Sequence, residues 1–192
     1  SYTMDTFTHV GAGAGGAIDT MDGVALTVTA QVVPWGGAFN KTGLGTLKLT
    51  NPANTADMVV HAGTLEVTSA ASINVLAGAT LKPDGTLTIT TNLILSAANL
   101  NFNIGATSDL INTPALNALG TNAFHFTNVG SLAAGPITLI DYDSFPVGSL
   151  DNFSCPATLG YWDLALADTG SAIVLNVSGG QGDLIIEKYW DE

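Results

Sequence analysis

One tripeptide, Gly-Thr-Leu, opens three stretches of alternating apolar and polar residues and constrains the fold more than any other feature. The copies begin at Gly45, Gly63 and Gly85, so they are 18 and 22 residues apart. After Gly63, for example, Leu65 and Val67 alternate with polar residues, which indicates a half-buried β-strand. A strand that recurs about every 20 residues predicts a β-solenoid, because each coil can bury its apolar face only against its neighbours.

We therefore predict an all-β protein, a right-handed β-solenoid (β-helix) of short strands in which residues 1–192 form a single domain. The leucines of the three triplets are expected to stack in its core. Loop excursions are predicted near 107–121, where Pro114 interrupts the alternation, and near 143–160. Segments 161–166 and 173–177 should add further strands and leave the edges of the solenoid with little protection. Alternation alone also fits two packed sheets, so a β-sandwich is the alternative.

The central segment resembles the β-strand repeat of bacterial autotransporter passenger domains. The motif Lys-Thr-Gly-x-Gly-Thr-Leu occupies Lys41 to Leu47, an Asn-Thr turn follows at Asn54, and a Val-x-x-Gly-Thr-Leu-x-Val strand ends at Val67. The resemblance covers about residues 39–178. It implies a β-helix fold and a location outside the cell or on the cell surface.

Charge excludes two classes of partner. The net charge is −12, from sixteen acids and four lysines, and arginine is absent. Nucleic acid and anionic membrane surfaces both require a basic face, so neither is expected as a partner. No apolar run approaches the roughly 20 residues of a spanning helix, so membrane insertion is not expected either. The start at Ser1 without a methionine fits a processed, exported protein, or equally an artificial start.

Two aspartates provide the main candidate for chemistry. Asp141 and Asp143 are two residues apart and should share one face of a strand. With Asp151 they could act as an acid pair on a glycoside or as oxygen ligands for calcium. A solvated turn explains them as well, and without arginine the site lacks the base and substrate clamp of a pectate-lyase-like enzyme. We therefore expect no catalytic site, no enzyme activity and no cofactor, with Asp141 and Asp143 as the only candidate metal ligands.

Histidine and cysteine offer no cluster. His9, His61 and His125 are far apart in the sequence and are expected to face outward from strands. The one cysteine, Cys155, permits no internal disulfide. We expect it to be a small buried residue, and the alternative is a crosslink between copies.

The two ends of the chain suggest contacts between subunits. Residues 1–16 end in a glycine-rich stretch and are predicted to form an N-terminal arm. Residues 179–192 follow a glycine linker and should form a strand that either caps its own solenoid or pairs with a neighbour. The predicted contact residues are aromatic or aliphatic: Tyr2, Phe7, Leu184, Ile186, Tyr189 and Trp190.

These features favour a secreted structural subunit of an extracellular filament, sheath or surface layer. Its main partner would be itself, through strand and coil contacts. The alternative is a cell-surface adhesin or carbohydrate-binding β-helix module, for which surface glycans would be the partner. A polysaccharide-active enzyme is the third class, and the missing base and arginine argue against it.

Overall fold

The chain folds into a β-solenoid of about five turns, built from stacked parallel coils, as seen in a computed structural model that describes residues 2–4, 15–33 and 36–179. All strands belong to one sixteen-stranded sheet, and the only helical piece in the described ranges is a single 3-10 turn, Leu150–Asn152. The predicted all-β solenoid is confirmed. The β-sandwich alternative is wrong, because the coils pair in parallel rather than as antiparallel hairpins.

The strands, in chain order, are β1 (Tyr2–Met4), β2 (Ala17–Asp19), β3 (Ala25–Val28), β4 (Phe39–Thr42), β5 (Thr46–Leu49), β6 (Asp57–Val60), β7 (Thr64–Val75), β8 (Thr80–Ser96), β9 (Asn99–Ile104), β10 (Leu110–Leu119), β11 (Asn122–Asn128), β12 (Gly135–Val147), β13 (Phe153–Ser154), β14 (Thr158–Leu159), β15 (Trp162–Asp168) and β16 (Ala172–Gly179).

One ladder of apolar side chains runs through six coils and forms the main core. Its rungs are in direct register from coil to coil: Leu26, Leu47, Leu65, Leu81, Leu100 and Phe124. All except Leu26 at the N-terminal end are at most 1% exposed. Residues between the rungs, such as Thr64, face outward and are partly exposed. The alternation read from the sequence therefore assigned the two faces correctly at this position.

The third Gly-Thr-Leu triplet does not join this ladder, which corrects the prediction. Leu81, four residues before Gly85, pairs with Leu65, whereas Leu87 pairs with Ile111. The reason is a large bulge in β8, where Pro83 is paired opposite Val67 and the pairing resumes only at Thr88. The inserted residues carry the third triplet onto a new side of the coil.

That bulge begins a second buried ladder and widens the solenoid. Leu87, Ile111, Ile140 and Ile173 lie in register and are all fully buried. The coil grows accordingly: in-register residues are 16 apart from Thr64 to Thr80 and 24 apart from Asn99 to Ala123. A wider coil needs extra side chains to fill it, and the ladder of leucine and isoleucine provides them.

The loop excursion predicted near 107–121 is wrong. Residues 110–119 form β10, which pairs in parallel with β8 on one edge and β12 on the other. Pro114 is accommodated at a bulge relative to β8, because the β8–β10 register shifts between Asn112 and Ala115. Pro114 itself has no register partner on either edge, so no ladder hydrogen bond is required of its missing N–H. In the second predicted excursion, β12 continues to Val147, and only 148–152 and 155–157 leave the strand pattern.

Glycines in the motif allow successive turns to touch through their backbones. Gly43 and Gly63 have φ of 72° and 66°, a conformation that side chains disfavour. A Cβ atom at Gly45 would lie 2.1 Å from the carbonyl oxygen of Met21, and one at Gly63 would lie 2.4 Å from that of Gly45. Glycine at Gly43, Gly45 and Gly63 is therefore required by the close stacking of the turns.

Lys41 joins two of these turns from inside the solenoid. The residue is 1% exposed, and its Nζ donates hydrogen bonds to the carbonyl oxygens of Thr42 (2.7 Å), Gly43 (2.7 Å) and Ala62 (3.0 Å). Burial lowers the pKa of its amine, and the nearby charge of Asp19 acts in the opposite direction. The lysine of the motif thus has a structural role, since it donates to three backbone carbonyls of two stacked turns from inside the solenoid.

The C-terminal end carries a cap that the sequence reading did not predict. Segments 162–168 and 172–179 form the antiparallel strands β15 and β16, and β16 pairs antiparallel with β12. An antiparallel hairpin ends the parallel stack, so the last coil is covered along β12 from Gly135 to Asp141. The expectation that the solenoid edges have little protection is therefore wrong for this part of the C-terminal end.

The N-terminal end is arranged differently. Of the predicted arm 1–16, residues 2–4 form β1, which pairs in parallel with β3 of the same chain and adds one rung to the sheet. The backbone of Tyr2 therefore pairs opposite Leu26. Strand β2 pairs with β4 on one edge, and no described residue pairs with its other edge. Phe7 and most of 179–192, including Leu184, Ile186, Tyr189 and Trp190, lie outside the described residues.

Candidate functional site

Two surfaces stand out in the described part of the chain, and the first is a cleft around the predicted aspartates. It has a volume of about 220 Å³. Its lining comes from three neighbouring strands, β8, β10 and β12, and comprises Ile89, Asn112, Thr113, Pro114, Asp141, Tyr142 and Asp143.

The bulge at Pro114 places these residues around a cleft instead of on a flat face. Asn112 lies in register with Asp141, and Thr113 with Tyr142, before the register shifts. Asp141 and Asp143 are both exposed while Tyr142 between them is 4% exposed, so the two carboxylates share the outer face as predicted. A β-bulge often re-aims side chains in this way.

Tyr142 anchors the inner wall of the cleft. Its hydroxyl donates a 2.5 Å hydrogen bond to Oδ1 of Asp168 at the end of β15, and its ring packs edge-on against Phe145. Burial and the Asp168 carboxylate together raise the pKa of the Tyr142 hydroxyl well above its usual range. The phenol is therefore held neutral, as a structural link between the wall and the C-terminal cap.

The cleft presents hydrogen-bonding groups but no assembled acid–base set. Asp151, the third acid of the predicted set, lies in the 3-10 turn and does not line the cleft. In the described ranges no group of three or more His, Cys, Asp or Glu is close enough together to hold a metal ion. The Asn112 side-chain oxygen is buried and has no hydrogen-bond partner within the protein. The cleft can therefore accept hydrogen bonds from a ligand through its two exposed carboxylates.

The other polar candidates have structural partners. Exposed His61 contacts Asn40 (2.9 Å between Nε2 and Oδ1), and exposed His125 contacts Asn99 (3.2 Å), so both face outward as predicted, whereas His9 lies outside the described residues. Cys155 is half-buried against the core, and burial raises the pKa of its thiol.

Three outward charges form a ladder on the middle coils that the sequence reading missed. Lys48, Glu66 and Lys82 are consecutive rungs, with Nζ–Oε distances of 2.5 Å and 3.0 Å, and Lys48 also lies 3.0 Å from Asp84. Part of the signal was available, because Lys48 and Glu66, the residues after the first two triplet leucines, carry opposite charges. Since the groups neutralise one another, the ladder is a stabilising feature and offers no free cationic site.

The second surface is the N-terminal end of the solenoid. Ile18 and Leu26, the inward-facing residues of the first coil, are only half-buried, whereas Leu47 in the next coil is fully buried. Beside them, Met21 and Leu44 are 74% and 67% exposed on stacked turns. The core is thus partly uncovered at the same end at which β2 has an edge without a described partner.

Backbone hydrogen bonds identify which groups of β2 point outward. Asn40 donates to the carbonyl of Gly16 (2.7 Å), and Thr20 donates to the carbonyl of Thr42 (3.1 Å). Alternate residues of a strand direct both backbone groups to the same edge. Gly16, the central residue of β2 and Thr20 therefore face β4, and Ala17 and Asp19 direct their N–H and C=O groups away from the solenoid.

Comparisons with protein families and with curated proteins identify no relative of this chain. No protein-family profile matches the chain, and no curated protein matches it. The resemblance to autotransporter passenger repeats therefore stays a prediction. In the described ranges no helix is both long and apolar enough to cross a membrane.

Proposed function

We propose that the protein is a structural subunit that assembles with copies of itself, outside the cell or on the cell surface, through the N-terminal end of its solenoid. The observation that carries the proposal is the outer edge of β2, which has no partner among the described residues, although the next strand, β3, is paired with β1. An unpaired strand edge is a template for pairing with another chain.

The side chains at this end support the same proposal. Half-buried Ile18 would be covered by a docked copy, whereas Leu26 already lies opposite Tyr2 of β1 in the same chain. Exposed Met21 and Leu44 would extend the contact along the turns. Because the two ends of the solenoid differ, a contact that joins them is head-to-tail and produces filaments or rings rather than a closed two-fold dimer.

Net charge sets the conditions under which assembly should occur. Copies that each carry a charge of −12 repel one another, and salt screens that repulsion over about 10 Å at 0.1 M ionic strength. Assembly should therefore strengthen as salt is raised. A contact held mainly by surface ion pairs would show the opposite dependence.

The test uses the full chain and one pair of variants. Sedimentation velocity and electron microscopy of the purified protein should show concentration-dependent polymers. Met21→Glu places a charge in the proposed contact and should reduce assembly at least tenfold. Thr90→Glu adds the same charge at an exposed position in β8 and should leave assembly unchanged. A chain that stays monomeric at high concentration and moderate salt contradicts the proposal.

A second candidate function rests on the cleft. Its two exposed carboxylates and the apolar side chains of Pro114 and Ile89 would suit a neutral sugar with several hydroxyl groups. In that case the protein would act as an adhesin or carbohydrate-binding module. Saturable binding of neutral oligosaccharides by wild type, lost in Asp143→Asn and retained in Asp151→Asn, would support this function over the structural one.

A further inference from the structure

We infer that the N-terminal edge of β2 in one copy accepts residues 183–190 of a second copy as an added strand. The inference rests on the proposed self-assembly and specifies which parts of the two copies meet. The acceptor is the described edge of Ala17–Asp19. The donor is the sequence Asp183-Leu-Ile-Ile-Glu-Lys-Tyr-Trp190.

The acceptor offers backbone groups and a partly uncovered apolar side chain together. Ala17 and Asp19 direct their N–H and C=O groups outward, because their neighbours along the strand are bonded to β4. Ile18 between them faces inward and is half-buried. An added strand would pair with the two outward residues and cover the inward one, which is how strand addition combines affinity with specificity.

The donor sequence matches those two requirements. Leu184, Ile186, Lys188 and Trp190 fall on one face of an extended segment, and Ile185, Glu187 and Tyr189 fall on the other. The three apolar side chains of the first face suit contact with the apolar end of the core. The second would lie beside the exposed side chain of Ala17.

Distance determines that the donor belongs to another copy. Six strand spacings separate β2 from β12, roughly 29 Å at about 4.8 Å each, and β16 lies on the far side of β12. From Gly179, the last described residue of β16, Asp183 is four residues away and so at most about 14 Å. A strand that begins at Asp183 therefore cannot lie along β2 of its own chain.

The outer edge of β11 is a competing acceptor that lies within reach of residues 183–190 of the same chain. On β11, Ala123 and Val129 donate to carbonyls of the preceding coil, so Phe124, Phe126 and Asn128 direct their backbone groups away from it. Only Asn122 and Ala123 of this strand pair with β13. If residues 183–190 cover this edge, they cap their own solenoid. The experiment must separate exchange between copies from such a self-cap.

Single cysteines in the full chain make that separation, with Cys155→Ala removing the native thiol. One chain carries Ala17→Cys and a size tag, and an untagged chain carries Ile185→Cys, Glu187→Cys or Tyr189→Cys. After mixing, a short thiol-to-thiol crosslinker should join tagged to untagged chains. The yield should be at least fivefold higher than with Thr90→Cys, which is exposed in β8, as the tagged position. Sedimentation of the uncrosslinked mixture reports polymer formation independently.

Three results would overturn the inference, and they can be told apart. A crosslink within one chain between Thr127→Cys on β11 and the donor cysteine, with no product at Ala17→Cys, means that the segment is a self-cap. Polymers without any Ala17→Cys product mean that assembly uses another contact, and the proposed function survives. The absence of polymers and of crosslinks between chains removes both the inference and the function on which it rests.

Discussion

Replacing Leu65 by alanine tests the core ladder that organises the solenoid. Leu65 is fully buried between Leu47 and Leu81. The change removes three carbon atoms, worth about 2.4 kcal/mol at ~0.8 kcal/mol per buried methylene, and neighbouring coils leave little freedom for the site to collapse. With the cavity term, we expect Leu65→Ala to reduce the free energy of unfolding by about 3 to 5 kcal/mol.

Two control variants make this prediction specific. Thr64→Ala alters the partly exposed, outward row and should cost less than about 1 kcal/mol. Leu26→Ala lies in the same ladder at its open end, is half-buried, and should cost about 1 to 2 kcal/mol. Urea unfolding followed by far-UV circular dichroism measures all three, with m-values compared to detect a loss of two-state behaviour. Equal costs for Leu65→Ala and Thr64→Ala would refute the assignment of faces.

Three further predictions concern buried polar groups and charge. Lys41→Met should cost about 2 to 4 kcal/mol because three carbonyls each lose a hydrogen bond, whereas Lys82→Met should cost under about 1 kcal/mol. Burial lowers the pKa of Lys41 in the folded chain, so below pH 10.5 the unfolded chain binds more protons than the folded chain. The free energy of unfolding of wild type should therefore rise, relative to that of Lys41→Met, as the pH rises toward 10.5. The raised pKa of Tyr142 has the opposite effect on stability. The stabilisation from its protonated hydroxyl is complete below pH 10 and is lost above it. In urea melts at increasing alkaline pH, Tyr142→Phe should therefore lose less stability than wild type. Polymer mass measured by light scattering should rise between 20 and 200 mM sodium chloride, and a fall would indicate that ion pairs hold the contact.

Sequence patterning predicted the solenoid because alternation and period are local properties that burial imposes on every coil. Leu47 and Leu65 are therefore placed correctly. Leu87 is not, because the bulge after Pro83 depends on how much interior volume the wider coils must fill, which no single repeat encodes. Pro114 was mispredicted for a related reason, since a bulge relative to β8 can accept a proline that an uninterrupted strand could not.

The candidate surfaces were predictable only in part. That Asp141 and Asp143 share a face follows from a period of two, but the cleft around them requires the bulge of a neighbouring coil. The C-terminal cap was missed because antiparallel and parallel strands have the same alternation, so the direction of β15 and β16 could not be read from 161–177. The buried role of Lys41 was also hidden, since its three acceptors are backbone carbonyls.

The central claim is that copies join through the outer edge of β2, and one substitution tests it most directly. Ala17→Pro removes an N–H that points away from β4 and leaves the β2–β4 hydrogen bonds in place. Ala17→Val keeps the N–H and is the matched control. Sedimentation velocity of the full chain should show polymers for wild type and Ala17→Val and folded monomers for Ala17→Pro. Polymers of unchanged size in a folded Ala17→Pro chain would contradict the account.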